Sequence, residues 1–254
     1  NSNIINKNSI QVSNTTSSDD NKNHWGGIFA QNGYVYNTGD INITSGGKYG
    51  KGIMSCVVSV YNPDNTACVV NAANPVAGDI YNAGKITVTA NQSMGIFSST
   101  TNQITNTGKI EMTGDDNSGI WLWGKGKVQN SGQIVLNGSK TDFLGGSMTA
   151  IWIYEGGDVV NNGDISITDS GNGGTGIYTK EGKITNNGNI IVAETGGGQN
   201  GAGIKIYKGE AVNNNRIEVS GTGSIGIKVD NSAVITNNGV IEVKNGSMGI
   251  SGTS

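Results

Sequence analysis

Few residues in this chain have types and spacings that could do chemistry. Asp19-Asp20 and Asp115-Asp116 are paired carboxylates. A polysaccharide lyase or hydrolase sets such pairs in a groove beside Lys or Arg, one carboxyl working as acid and the other as base or nucleophile. Both pairs fall in polar loop segments, where solvated turn residues explain them as well. Glu218 and Glu242 fall at matching places of neighbouring repeats and face outward, with no basic partner at that place, so they read as surface. His24 is the single histidine and no G-x-S-x-G elbow is present, which argues against a serine hydrolase. Gly171-Asn172-Gly173-Gly174-Thr175-Gly176 lacks the following helix and lysine of a phosphate loop. No G-G-x-G-x-D run marks calcium-binding nonapeptides. The expectation is therefore a non-enzyme, with no catalytic residues, no metal ligands and no cofactor.

Cys56 and Cys68 are the only cysteines, and both lie in one insertion at about residues 55–78 that also holds Pro63 and Pro75. An even count inside a surface loop of an apparently secreted chain points to a disulfide. Closing so short a loop contributes roughly 3 kcal/mol in the chain-entropy picture. Two free thiols are the alternative. Zinc fits poorly, because the one histidine lies in a different insertion.

One set of side chains rises above this background. A small residue followed by Ile recurs at Gly27-Ile28, Gly52-Ile53, Gly95-Ile96, Gly119-Ile120, Ala150-Ile151, Gly176-Ile177, Gly203-Ile204, Gly226-Ile227 and Gly249-Ile250. The next residue faces out and reads Phe29, Met54, Phe97, Trp121, Trp152, Tyr178, Lys205, Lys228. Two further on come Ser99, Trp123, Tyr154, Lys180, Tyr207 and Asp230. Phe97, Trp121, Trp123, Trp152, Tyr154 and Tyr178 should form one flat apolar surface, and an exposed patch of this kind usually marks an interaction site. Two other readings stand beside it: a core covered by the cysteine insertion, or rings that stack only to stabilise the exterior.

The elements that position these rings follow from a second motif. An apolar residue, then N-x-G-x-I-x-V, recurs with its key Asn at Asn6, Asn37, Asn82, Asn106, Asn130, Asn161, Asn186, Asn213 and Asn237, the copies at Asn6 and Asn213 being looser. Most neighbours lie 24 to 27 residues apart. A period of this size means that each repeat buries its apolar face only by stacking on the next. Both halves of the repeat alternate apolar and polar residues, which is strand periodicity. The fold class is all-β: a right-handed parallel β-helix, or solenoid, of about nine coils with loop insertions. At about 4.8 Å per coil the rod is on the order of 40 Å long. Residues 1–254 should form a single β-helix segment of a longer rod, since neither end resembles a cap. Ile41, Ile86, Ile110, Ile134, Ile165, Ile190, Ile217 and Ile241 should point inward. The key Asn residues share their parity and should bond along one line, because a buried amide is costly unless paired. The Gly two places after each Asn is expected at positive φ in a tight turn, with Asn8 and Asn215 substituting for it. Insertions at about 13–25, 137–148 and 193–200 leave from one recurring corner.

Composition agrees. Of 254 residues, 42 are Gly and 35 are Asn, only 14% are charged, and the net charge is −3. Regularly placed Ile and Val separate the chain from disordered sequences of similar polarity. Without a basic cluster, nucleic acid is an unexpected partner. Without an apolar run near 18 residues, the segment should not insert into a membrane.

The Asn- and Gly-rich repeat, as in Ala233-Val234-Ile235-Thr236-Asn237-Asn238-Gly239-Val240-Ile241-Glu242-Val243, resembles the passenger domains of type V autotransporters of Gram-negative bacteria, most like the large fusobacterial autotransporter adhesins. The resemblance covers essentially the whole chain. It implies a bacterial cell-surface adhesin segment, extracellular and tethered to the outer membrane through a translocator barrel absent from this chain. Its partners would be a host cell-surface protein or glycan receptor, or other bacteria, engaged through loops and the aromatic face of a monomeric rod. The alternatives are a polysaccharide lyase or hydrolase on the same scaffold, or a rod segment of a secreted toxin.

Overall fold

Among the described residues, nine turns of chain, each crossing three sheet faces, stack in register along one axis. The computed structural model describes residues 3–14, 26–30, 33–58, 68–69, 78–99, 103–139, 148–169, 171, 173–194 and 201–252. The first face runs from Ile4–Asn6 through Val35–Asn37, Ile80–Asn82, Gln103–Asn106, Lys125–Asn130 and Gly156–Asn161 to Ala233–Asn237. The second face is a nine-stranded sheet running from Ile10–Asn14 to Val240–Lys244. The third runs from Gly26–Ala30 through Lys51–Ser55, Met94–Ser98, Ser118–Leu122 and Thr149–Ile153 to Met248–Gly252. Two long strands, Thr175–Asn186 and Ala202–Asn213, pass from the third face into the first of the next coil without a break. Successive coils pair in parallel on every face, and the fold is a right-handed parallel β-helix of the pectate lyase-like kind.

Inward Ile and Val side chains fill the interior. Ile41, Ile86, Ile110, Ile134, Ile165, Ile190 and Ile217 are fully buried, and Ile241 packs partly buried against the same core in the last coil. They lie opposite one another from coil to coil, as in Ile86↔Ile110 and Ile110↔Ile134.

The key Asn residues form one unbroken ladder. Each Nδ2 donates to the Oδ1 of the next, from Asn6 through Asn37, Asn82, Asn106, Asn130, Asn161, Asn186 and Asn213 to Asn237, at 2.7–2.8 Å. The second N–H is satisfied by the carbonyl two residues on, for instance Asn161 Nδ2 to Gly163 O at 3.0 Å. This is what lets seven buried amides, Asn37 to Asn213, sit among aliphatic side chains.

The glycine after the ladder residue has a different job from the one expected. Gly39, Gly84, Gly108, Gly132, Gly163, Gly188 and Gly239 are not among the positive-φ residues, and neither are Asn8 and Asn215. The constraint is stacking: a Cβ on Gly132 would lie 1.9 Å from Gly108 O, and one on Gly163 would lie 1.9 Å from Gly132 O. Turns of backbone touch at this corner, leaving no room for a side chain between them. Asn8 belongs to the first coil and has no described turn beneath it. Asn215 is accommodated, with its Nδ2 donating to Asn187 O at 3.1 Å. The Gly of the Gly-Ile pair is small for a related reason: a Cβ on Gly119 would come 2.6 Å from Ile134 Cγ2.

The insertions fall where expected. The chain leaves the second face at Asn14, Gly138 and Glu194 and returns on the third at Gly26, Thr149 and Ala202. Residues 15–25, 140–147 and 195–200, which hold Asp19, Asp20 and His24, lie outside the described residues. The cysteine insertion departs from the end of the third face. Cys56 is buried against Met54 and Phe97. Val57–Val58 pairs antiparallel with Cys68–Val69, setting Val58 opposite Cys68. The Cys68 side chain is outside those described, so the Cys56–Cys68 bond stays a proposal.

Two expectations for charged groups are corrected. Glu218 and Glu242 do have basic partners: Arg216 bonds Glu242 at 2.6 Å and Glu218 at 2.7 Å, and Lys244 reaches both. The hydrogen bond from Arg216, then that from Lys244, holds the Glu242 carboxyl below its ordinary pKa. Asp116 is not a solvated turn residue. It is buried, at φ +54°, beside Asp115, whose Oδ1 accepts from Ser139 N at 2.9 Å.

Candidate functional site

Strand alternation on the third face places every residue after the Gly-Ile pair outside, and parallel register puts these residues in line. Phe29, Met54, Phe97, Trp121, Trp152, Tyr178, Lys205 and Lys228 pair successively from coil to coil. Two residues on, Trp123, Tyr154, Lys180, Tyr207 and Asp230 make the neighbouring column.

The spacing of coils, about 4.8 Å, is close to the centre-to-centre separation of two offset-stacked rings, and the rings use it. Trp121 and Trp152 stack at 4.6 Å and 5°, and Trp123 and Tyr154 at 4.7 Å and 27°. Phe97 closes one end of the first column edge-on against Trp121 at 5.9 Å, and Tyr178 the other against Trp152 at 6.1 Å. Trp121 also contacts Trp123 across the columns at 5.6 Å. The structure thus joins all six expected rings into one cluster.

It does not make them a flat platform. Two pairs, Trp121 with Trp152 and Trp123 with Tyr154, turn their faces to one another from coil to coil, and Phe97 and Tyr178 close the first column edge-on. Phe97 is buried with Met54 and Cys56 at the base of the cysteine insertion and offers nothing to solvent. Trp121 and Trp152 are half-buried, and their Nε1 atoms are buried with no hydrogen-bond partner among the described residues. From Phe97 to Tyr207, exposure is greatest in the second column, at Tyr154, 41%, and Tyr207, 42%, while Trp123 there is half-buried; in the first column only the outlying Phe29, 47%, is a widely exposed ring. Over this stretch the first column is mainly a packed layer, and the second carries the exposed rings.

Cations continue both columns. Lys205 Nζ sits 5.8 Å from the Tyr178 ring centroid and Lys180 Nζ 5.9 Å from that of Tyr154. Lys205 and Lys228 both pair with Asp230, at 3.1 and 3.5 Å, and Lys208 pairs with Glu181 at 3.2 Å. Burial, then the Asp230 charge, raises the Tyr178 hydroxyl above its ordinary pKa, so it stays a neutral donor. Lys180 and Tyr207 belong to this surface as much as the six rings. Their outward parity was visible in the sequence, but an aromatic-only search passes over them.

Other features escaped the sequence reading. Tyr36 and Tyr81 stack at 4.8 Å and 8° on the first face. An exposed second ladder joins Asn162, Asn187, Asn214 and Asn238 at 2.8–2.9 Å. A shallow polar depression of about 480 Å³ runs over Gly108, Gly132 and Gly163. Among the described residues, no group of His, Cys, Asp and Glu is arranged to hold a metal ion.

Residues 122–254, more than half the chain, match the family model of the BigA third pectate lyase-like domain. The chain belongs to that family. No curated protein and no solved structure matches it significantly. Membership agrees with the β-helix and with a bacterial autotransporter-like passenger domain; it does not reach the fusobacterial group. The family region includes Trp123, Trp152, Tyr154, Tyr178 and Lys180, whereas Phe97 and the cysteine insertion precede it.

Proposed function

We propose that this chain is a surface-exposed, adhesin-type segment of a bacterial passenger, one that holds a host receptor, a glycan or another bacterium on the third face of its β-helix. The observation that carries this reading is the aromatic double column. Outward positions elsewhere on the rod are mostly Thr, Asn, Gln and charged residues, whereas here rings occupy both columns over several coils and the outer one stays open to solvent. A rigid aromatic strip contributes large contact area at small entropic cost. A likeness to the large fusobacterial adhesins belongs to the same proposal, as do tethering at the outer membrane and a monomeric rod. A non-enzymatic role belongs to the same proposal.

The experiment is an adhesion assay with the purified chain on host cells and on other bacteria. Trp123→Ala and Tyr154→Ala should reduce adhesion at least about tenfold with circular dichroism unchanged, since Tyr154 is exposed and Trp123 only borders the small buried cluster of Met54, Cys56 and Phe97. Unchanged adhesion in both variants would remove this face from the account.

A further inference from the structure

The ring orientation narrows the chemistry of the ligand. Sugars that stack on aromatic residues need a free ring face. Here Tyr154 has Trp123 on one side and the Lys180 ammonium on the other, and Trp152 lies between Trp121 and Tyr178. These neighbours crowd the faces of Tyr154 and Trp152, so what the two rings offer beside Lys180 is ring edge, which carries the positive end of the quadrupole, and the Tyr154 hydroxyl. This strip suits an oxygen-rich, negatively charged group.

Among the described residues, Lys180 is the cation of the strip that makes no ion pair. Asp230 is engaged by Lys205 and Lys228, Glu181 by Lys208, and Glu155, one coil away, makes no ion pair with Lys180. Tyr154 precedes Lys180 in the column and Tyr207 follows it at the same place one coil on. We propose that Lys180, flanked by Tyr154 and Tyr207, receives the carboxylate of an acidic sugar on the partner glycan, a site that rests on the adhesive reading above. The ammonium and the two hydroxyls are donors, and charge-assisted hydrogen bonds to a carboxylate are the strong kind. A protein partner fits less well. A stable protein interface covers about 800 Å² per side, whereas the open strip is one column wide and bordered by lysines already paired.

The test is surface plasmon resonance of the whole chain against sialyllactose, its methyl ester and lactose, with a sulfated trisaccharide and an oligoglutamate peptide as comparisons. The free acid should bind at least about tenfold more tightly than the ester or lactose. Lys180→Gln should bring the acid down to the level of the ester, and Lys180→Arg should keep most of the preference. Equal binding of acid and ester, binding by none of the sugars, or a preference that persists in Lys180→Gln overturns the assignment. So does tighter binding of the sulfated sugar or of the peptide. Failure here is separable from failure of the adhesive reading. Adhesion that is lost in Trp123→Ala while acid and ester bind alike sinks only the carboxylate site. Adhesion indifferent to Trp123→Ala and Tyr154→Ala sinks the surface itself.

Discussion

Asn106 donates through Nδ2 to Asn130 Oδ1 at 2.8 Å, and Asn130 hands the same bond on to Asn161. Every interior rung of the ladder is both donor and acceptor, so removing one strands two groups. Asn130→Ala should lower stability by about 2–4 kcal/mol, from an unpaired donor on Asn106 and an unpaired acceptor on Asn161. Asn187→Ala, on the exposed ladder where water replaces the partner, should change it by less than about 0.5 kcal/mol. Chemical denaturation of the two variants checks the contrast, and equal effects would contradict it.

Gly132→Ala tests the stacking account of the corner glycines. Its Cβ would meet the Gly108 carbonyl oxygen at 1.9 Å, a backbone atom that cannot rotate away. A loss of more than about 2 kcal/mol is expected. Gly252→Ala, with nothing within 4 Å of its Cβ, is the control and should be nearly silent. A tolerated Gly132→Ala would mean that successive coils can separate at this corner.

Ile134→Asp places a charge among Ile110, Ile165 and the rest of the core, with no cation within the column. Several kcal/mol should be lost, and limited proteolysis should open the central coils first, because each coil depends on its neighbours.

Lys51 supplies a pH signature. Its side chain is buried, Nζ donating to Tyr49 O at 3.1 Å, and burial lowers its pKa from 10.5 to about 8. Between those values the unfolded chain binds more protons than the folded one, so stability should rise as the pH is raised from about 8 towards 10.5. Lys51→Met should remove that rise and be the more stable protein at pH 7. A wild-type denaturation midpoint that stays flat over this window would rule the effect out.

Intact mass after alkylation without reductant addresses the cysteines. A bonded Cys56–Cys68 pair takes up no alkylating agent in the unfolded chain; two labelled thiols would show that the base of the insertion is held without a covalent link, by the packing of Cys56 against Met54 and Phe97 and the pairing of Val57–Val58 with Cys68–Val69.

The sequence by itself determined the rod. Alternation is a local property, and a motif recurring at coil length forces like residues into line, so the inward Ile columns, the Asn ladder from Asn6 to Asn237 and the alignment of Trp121 with Trp152 could all be read before any coordinates. Only the tertiary structure decided what depends on contacts across coils. The glycine at position 132 proved to be a matter of backbone stacked on backbone, not of φ, because turns 24 residues apart meet there. Arg216 reaches Glu242 across 26 residues, and an inspection of one repeat position at a time does not see that diagonal. Phe97 has the outward parity of Trp152 yet is buried, because the cysteine insertion begins beside it. The tilt of the rings was equally out of reach: parity says that a side chain points outward, but the rotamers that turn ring faces to one another, and leave edges and Lys180 to the solvent, are settled by packing between coils.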